Sequence, residues 1–212
     1  MSMFRRGGTF GEYIKDHPVT FSLIVLNTLF LFRSILTGGF SPENSIKQGG
    51  ITKDLFLDGQ YYRIITAAFL HGSLMHYFSN MIIGLNFLGS GLERMLGKVK
   101  YLIIYFVAIV GSGLLVVYSE VLFPASAGVT IVSVGASGGI FGLLGALFYI
   151  TIFRKDMLSI QDIQTVRILI VLNIIFTFLN PGISISGHVG GFISGFVISF
   201  LLIRRDVFKI LH

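Results

Sequence analysis

Long apolar runs alternate with short polar blocks along the chain, and their lengths predict helices that cross a membrane. A helix needs about 20 apolar residues to span a hydrocarbon core of about 30 Å. The first run covers 19–36, the second 75–92, and the third, 101–118, carries no charge. Between Glu120 and Arg154 lie 33 uncharged residues, too many for one span. Pro124, the small residues after it and the strand-like TIVSV (130–134) predict a loop there, with a fourth helix starting at Ser137. Between Arg167 and Arg204 lie 36 uncharged residues, interrupted by Asn180-Pro181-Gly182. Asn-Pro-Gly is turn chemistry, so this stretch divides into spans at 162–179 and 185–203, with Arg167 snorkelling to the near surface. The pattern therefore predicts an all-α, polytopic membrane bundle of six transmembrane helices.

Composition agrees. Hydrophobic residues make up 53%, charged residues 12%, and mean hydropathy is +0.83. A soluble domain carries about 25% charge, so the solvent for most of this chain is lipid. The absence of cysteine excludes disulfides, thiolate metal sites and a cysteine nucleophile. A net charge of +6 would suggest nucleic acid for a soluble protein. Here the charges lie in short blocks between apolar runs and act as topology signals at solvated ends, with no nucleic-acid partner. With the N-terminus inside, twelve of the 16 Lys and Arg fall on the inner side. Arg5, Arg6, Arg205 and Lys209 are among those twelve, while Arg33, Lys47, Lys53 and Arg63 face out. Both termini are thus expected in the cytoplasm of a multi-pass cell-membrane protein. Arg5 and Arg6 before an apolar run resemble a signal peptide, but no A-x-A site follows, so the run reads as a retained first span. The expected organisation is an N-terminal tail (1–18), a six-span core (19–204) and a C-terminal tail (205–212). A long outer loop (37–74), bearing Phe56, Tyr61, Tyr62 and Arg63, lies in the membrane interface.

This topology sorts the polar residues. Spans two, four and six all run inward, so His76, Asn80, Ser137 and His188 all start near the outer face, at similar depth. His76 and Asn80 share one helix face. Singly, each has an ordinary reading: a membrane serine bonds its own backbone, and a lone His or Asn joins two helices. Together they form a candidate functional site, because polar groups inside a membrane are expensive. The stretch SVGASGGIFGLLGALF (133–148) sets Ser137 among glycines, and Gly138 and Gly142 recur at four-residue spacing. Gly187, Gly191 and Gly195 do the same on span six. Such faces let helices approach closely. If spans four and six meet along them, His188 comes within reach of Ser137 as the base that a serine nucleophile needs. Gly89, at the inner end of span two, has no predicted catalytic contact and should tolerate substitution better than Gly191.

GASGG (135–139) also matches G-x-S-x-G, the nucleophile elbow of α/β-hydrolases, and Ser137, Asp162 and His188 occur in the hydrolase order. That reading fails because the topology puts Asp162 at the inner face, far from His188, and the helices are apolar all round. No Asp or Glu lies in the apolar part of a span, so a Ser-His dyad remains. His71 and His76 lack the H-E-x-x-H pattern, and no metal or organic cofactor is indicated.

Over about 61–200, these residues resemble the rhomboid family of intramembrane serine proteases, bacterial type with a six-span core. HGSLMHYFSN (71–80) matches the family's H-x-x-x-x-H-x-x-x-N, GASG (135–138) its G-x-S-G, and GHVGGFISG (187–195) is similar to its A-H-x-x-G-x-x-x-G. Tyr62-Arg63 stands where the family has Trp-Arg, Gly187 replaces Ala, and Phe141 holds a position often occupied by Tyr. The resemblance implies that Ser137 attacks a peptide bond with His188 as base and then acid. It implies an oxyanion hole from the Ser137 N–H, Asn80 and His76, with His71, Arg63, Gly135, Gly138, Phe141, Gly191 and Gly195 in support. The substrates implied are single-pass transmembrane proteins cut near their outer end. The rival implied function is a catalytically silent relative that binds transmembrane helices as a chaperone or dislocation factor.

Overall fold

A computed structural model of the protein describes Met3, residues 8–180 and residues 182–204. The 205–212 tail, most of the tail before residue 8, and with them Arg5, Arg6, Arg205 and Lys209, lie outside the described residues, as does Pro181. The chain forms α1 (Phe10–Asp16), α2 (Pro18–Thr37), α3 (Pro42–Gln48), α4 (Lys53–Leu57), α5 (Arg63–Thr66) and α6 (Leu74–Phe78). A π-helical stretch, Ser79–Gly89, continues α6 into α7 (Ser90–Leu96). Then follow α8 (Lys98–Leu122), α9 (Ser137–Phe153), α10 (Ile160–Leu179) and α11 (Ile185–Leu202). The architecture is the helical bundle expected from the hydropathy pattern. Four helices, α2, α8, α10 and α11, are long and apolar enough to cross a membrane. The other two crossings are the composite helix from Leu74 to Leu96 and α9, whose 17 residues are fewer than a straight span needs.

Helix limits follow local chemistry. Pro18 opens α2 and Gly38 ends it with φ +135°. Ser159 caps α10 and Ser184 caps α11, each accepting an N–H of the first turn through its hydroxyl. The segment before Ser137, TIVSV (130–134) included, is the loop expected from the sequence. Among the described residues, only one antiparallel bridge is made, between Ile51 and Ser133. Its partner segment turns into α4 at Lys53, so the pairing cannot extend.

α9 is the centre of the bundle, enclosed by α8, α11 and the π-helical stretch. It buries nearly every residue from Gly138 to Thr151, which is why it has no polar face. α9 and α11 cross through glycines. A Cβ on Gly191 would overlap the Gly138 carbonyl oxygen, and one on Gly195 would overlap that of Gly142. α2 and α10 lie at the periphery, with Leu29, Phe32, Ile168, Leu172 and Phe178 exposed where lipid would surround them.

One expectation is corrected. The carboxylates at span ends are not all solvated: Glu93 is 2% and Asp162 1% exposed. The Glu93 carboxylate accepts the Val19 and Thr20 N–H groups at 2.9 and 2.8 Å. It thereby satisfies free donors at the N-terminus of α2, where a negative charge is also favoured by the helix dipole. Gly89 is also packed, but against the end of a side chain where Gly191 meets backbone. A Cβ there would lie 2.6 Å from the Tyr101 hydroxyl, which itself receives a hydrogen bond from Thr20.

Candidate active site

Ser137 opens α9 after a sharp turn. Gly135 has φ +130°, a conformation that favours glycine. Its N–H donates to the Ala67 carbonyl at 2.9 Å, while Ser133 and Ile51 exchange backbone hydrogen bonds. The turn is thus tied to the outer-loop segment on both counts. That segment is held in turn by Arg63, a buried residue. Its guanidinium donates to the carbonyls of Ile46 and Gly50, both at 2.8 Å, and to Gln60. Arg63 therefore organises the loop after α3, and the Ile51 bridge carries that order to the chain before Ser137. Ala136 precedes the helix without a side-chain cap, so the Ser137 N–H belongs to a helix start whose donors no side chain satisfies.

His76 and Asn80 lie against this turn. A Cβ on Gly135 would sit 2.7 Å from His76 Nε2 and 3.6 Å from Asn80 Nδ2. Only glycine therefore permits their approach. The Gly72 N–H donates to His76 Nδ1 at 3.4 Å, so the neutral ring carries its proton on Nε2, the nitrogen beside Gly135. Asn80 stands at the start of the π-helical stretch, a distortion common at functional sites. Its Nδ2 is buried without a hydrogen-bond partner among the described residues. His71, just before α6, packs its edge against His76 and Tyr77, with ring centroids 5.1 and 5.4 Å apart. Burial, with His76 adding to it, pushes the His71 pKa down to about 3; the Phe69 backbone lies outside hydrogen-bond geometry and gives little relief. His71 is therefore a neutral packing element.

His188 lies in the first turn of α11 and is buried. Its ring stacks on Phe141, one turn after Ser137, with centroids 3.7 Å apart and planes at 17°. An aromatic ring at 141 thus supports the imidazole without a phenol. His188 Nδ1 lies 2.8 Å from Thr177 Oγ1 on α10. The Gly138–Gly191 contact sets Ser137 and His188 one residue and one turn, respectively, from one of the close backbone contacts between α9 and α11. No hydrogen bond joins Ser137 to His188 directly among the described residues. Asp162 is engaged elsewhere, accepting from Ser159 Oγ at 2.7 Å and from the Met3 N–H. Among the described residues, no group of three His, Cys, Asp or Glu gathers as a metal site.

His71, His76 and Asn80 lie with Gly135, and Gly138, Phe141, His188 and Gly191 lie along the adjoining α9–α11 contact, while Arg63 acts through the loop after α3 and Gly195 lies one turn deeper along the α9–α11 seam. Sequence reasoning missed Thr177. The only available signal was a hydroxyl 11 residues before His188, across the Asn-Pro-Gly turn.

Fold and site define a multi-pass, all-helical membrane protein whose polar residues converge at one end of an apolar bundle. Residues 58–205 match the rhomboid domain, and the chain belongs to the rhomboid family. It is 31% identical over 209 residues to the Bacillus subtilis (strain 168) rhomboid YdcA, covering 96% of this chain and 98% of that one. It is 34% identical over 179 residues to the rhomboid protease GluP of the same bacterium, covering 84% of this chain but 33% of GluP. It is 35% identical over 161 residues to RHOMBOID-like protein 5 of Arabidopsis thaliana, covering 75% of this chain and 50% of that protein.

Proposed function

We propose that this protein is an intramembrane serine protease that cleaves single-pass transmembrane proteins near the outer face with a Ser137-His188 dyad. The observation that carries this reading is the buried Asn80 Nδ2, which has no hydrogen-bond partner among the described residues and lies beside the turn that leads into Ser137. Leaving such a donor unsatisfied costs about 1–3 kcal/mol. A protein that only binds helices has no use for that cost. An enzyme that must stabilise an oxyanion beside a serine does.

In this mechanism Ser137 Oγ attacks the scissile carbonyl carbon while His188 Nε2 takes its proton. The carbonyl oxygen becomes an oxyanion, held by the Ser137 N–H, Asn80 Nδ2 and His76 Nε2–H. Collapse breaks the C–N bond, and His188 returns the proton to the leaving amine. Water, deprotonated by His188, then hydrolyses the acyl-serine. The dyad hydrogen bond absent from the free protein forms when substrate closes the site, as catalytic contacts commonly do.

The test is cleavage of a model transmembrane substrate together with labelling by a fluorophosphonate. Ser137→Ala and His188→Ala should each abolish both without loss of membrane insertion. The double variant should be no slower than either single one, because the two residues act as a unit. Insertion and helix binding without labelling of the wild type would instead identify a catalytically silent helix-binding protein.

A further inference from the structure

Thr177 is buried on α10, on the far side of the His188 ring from any catalytic role already assigned. Its hydroxyl has one proton, and that proton goes to the Asn173 carbonyl one turn earlier, at 2.7 Å. Only an oxygen lone pair is left to face His188 Nδ1 at 2.8 Å, so Nδ1 must be the donor. A neutral imidazole with its proton on Nδ1 has its lone pair on Nε2. The stack on Phe141 fixes the plane of the ring, and the Thr177 bond fixes its rotation within that plane.

We propose that Thr177 is the positioning residue of the dyad. Its hydroxyl oxygen holds His188 in the Nδ1–H tautomer, so that Nε2 is the free base. This inference rests on the reading of Ser137 and His188 as a dyad. In serine enzymes with a third member, a carboxylate accepts the Nδ1–H and sets the tautomer. Among the described residues no carboxylate hydrogen-bonds to His188, and a neutral hydroxyl, polarised by its own bond to the helix backbone, takes that place. A neutral orienter suits a site within an apolar bundle, where an additional buried charge would carry a large desolvation cost.

The experiment compares Thr177→Val, which keeps the shape but loses the oxygen, with Thr177→Ser, which keeps the hydroxyl. Partners that orient a metal-bound imidazole through its other nitrogen are worth about 10–100-fold in activity, and the same order is expected for a partner that orients a catalytic base. Thr177→Val should lower kcat by about that factor with KM unchanged, and Thr177→Ser should restore it. In parallel, ¹⁵N-histidine NMR, with the His188 signal assigned by its loss in His188→Ala, reads the tautomer. The wild type should show Nδ1 protonated and Nε2 bare, and Thr177→Val a mixture. The spectra are also recorded in Ser137→Ala, so the tautomer is read independently of turnover. An inactive wild type whose His188 is still held as Nδ1–H would overturn the protease reading and leave the hydrogen-bond assignment standing. A Thr177→Val protein with wild-type kcat, or an Nε2–H tautomer in the wild type, would overturn this inference while leaving the dyad intact. So would a Thr177→Ser protein as slow as Thr177→Val.

Discussion

Asn80 is an amide whose donor end is buried beside a glycine turn without a hydrogen-bond partner among the described residues. Its place beside the turn that leads into Ser137 is what argues for a role in a state that only substrate creates. Removing a single oxyanion donor typically costs about 10²–10³ in rate. Asn80→Ala should therefore lower kcat by about 10²-fold, the milder end, because the Ser137 N–H and His76 remain. Its thermal stability should stay level or rise, since no protein hydrogen bond of the donor is lost. A rate at the wild-type level together with a lowered Tm would reassign Asn80 to structure. Residues of this kind were legible from sequence because a polar side chain in an apolar run stands out. Thr177 was not, because a threonine in a span commonly bonds its own backbone. Thr177 does so, to Asn173, and only the packing of α10 on α11 shows what its other face meets.

At the scale of elements, the α9–α11 seam holds the candidate dyad together. Glycines bring the two backbones so close that the methyl of an alanine at Gly191 would run into the Gly138 carbonyl, one residue from Ser137. A misplacement of about 1 Å at a catalytic group can cost about 10²-fold. Gly191→Ala should therefore lose about that much cleavage rate per inserted molecule. Gly182→Ala, where nothing lies within 4 Å, should match the wild type. Full activity in Gly191→Ala would mean that another contact sets the distance between Ser137 and His188. Gly89 cannot serve as the neutral comparison, despite its distance from the site in sequence terms, because Tyr101 fills the space its side chain would need. Four-residue glycine spacing revealed the seam in the sequence. The contacts at Gly89, made by Tyr101 and Thr20 on two other helices, left no such period.

For the whole molecule, the distribution of Lys and Arg predicts that the Ser137 end of the bundle faces out. The cysteine-free chain makes this directly measurable. In right-side-out membrane vesicles, a membrane-impermeant maleimide should label Lys47→Cys and leave Lys155→Cys untouched until the vesicles are opened. The reverse pattern would invert the orientation and move the proposed cleavage to the cytoplasmic side. Both positions are exposed, so access depends on sidedness alone.

The apolar runs by themselves determined the number and limits of the crossing helices, because burial of a backbone in lipid leaves a helix as its only satisfied form within one segment. For the five spans predicted at both ends, observed and expected limits differ by no more than four residues. The order of the spans likewise placed His76, Asn80, Ser137 and His188 at one end of the bundle, since spans two, four and six run in the same direction and each carries its polar group near its start. The outer loop was beyond such reasoning. Its helices α3, α4 and α5 are each a few residues long, and their order comes from Arg63 and the Ile51–Ser133 bridge, which join residues far apart in sequence. The buried Glu93 and the Thr177–His188 bond belong with it. A hydrogen bond between helices depends on their rotation and register, and these are set by packing that no single segment contains.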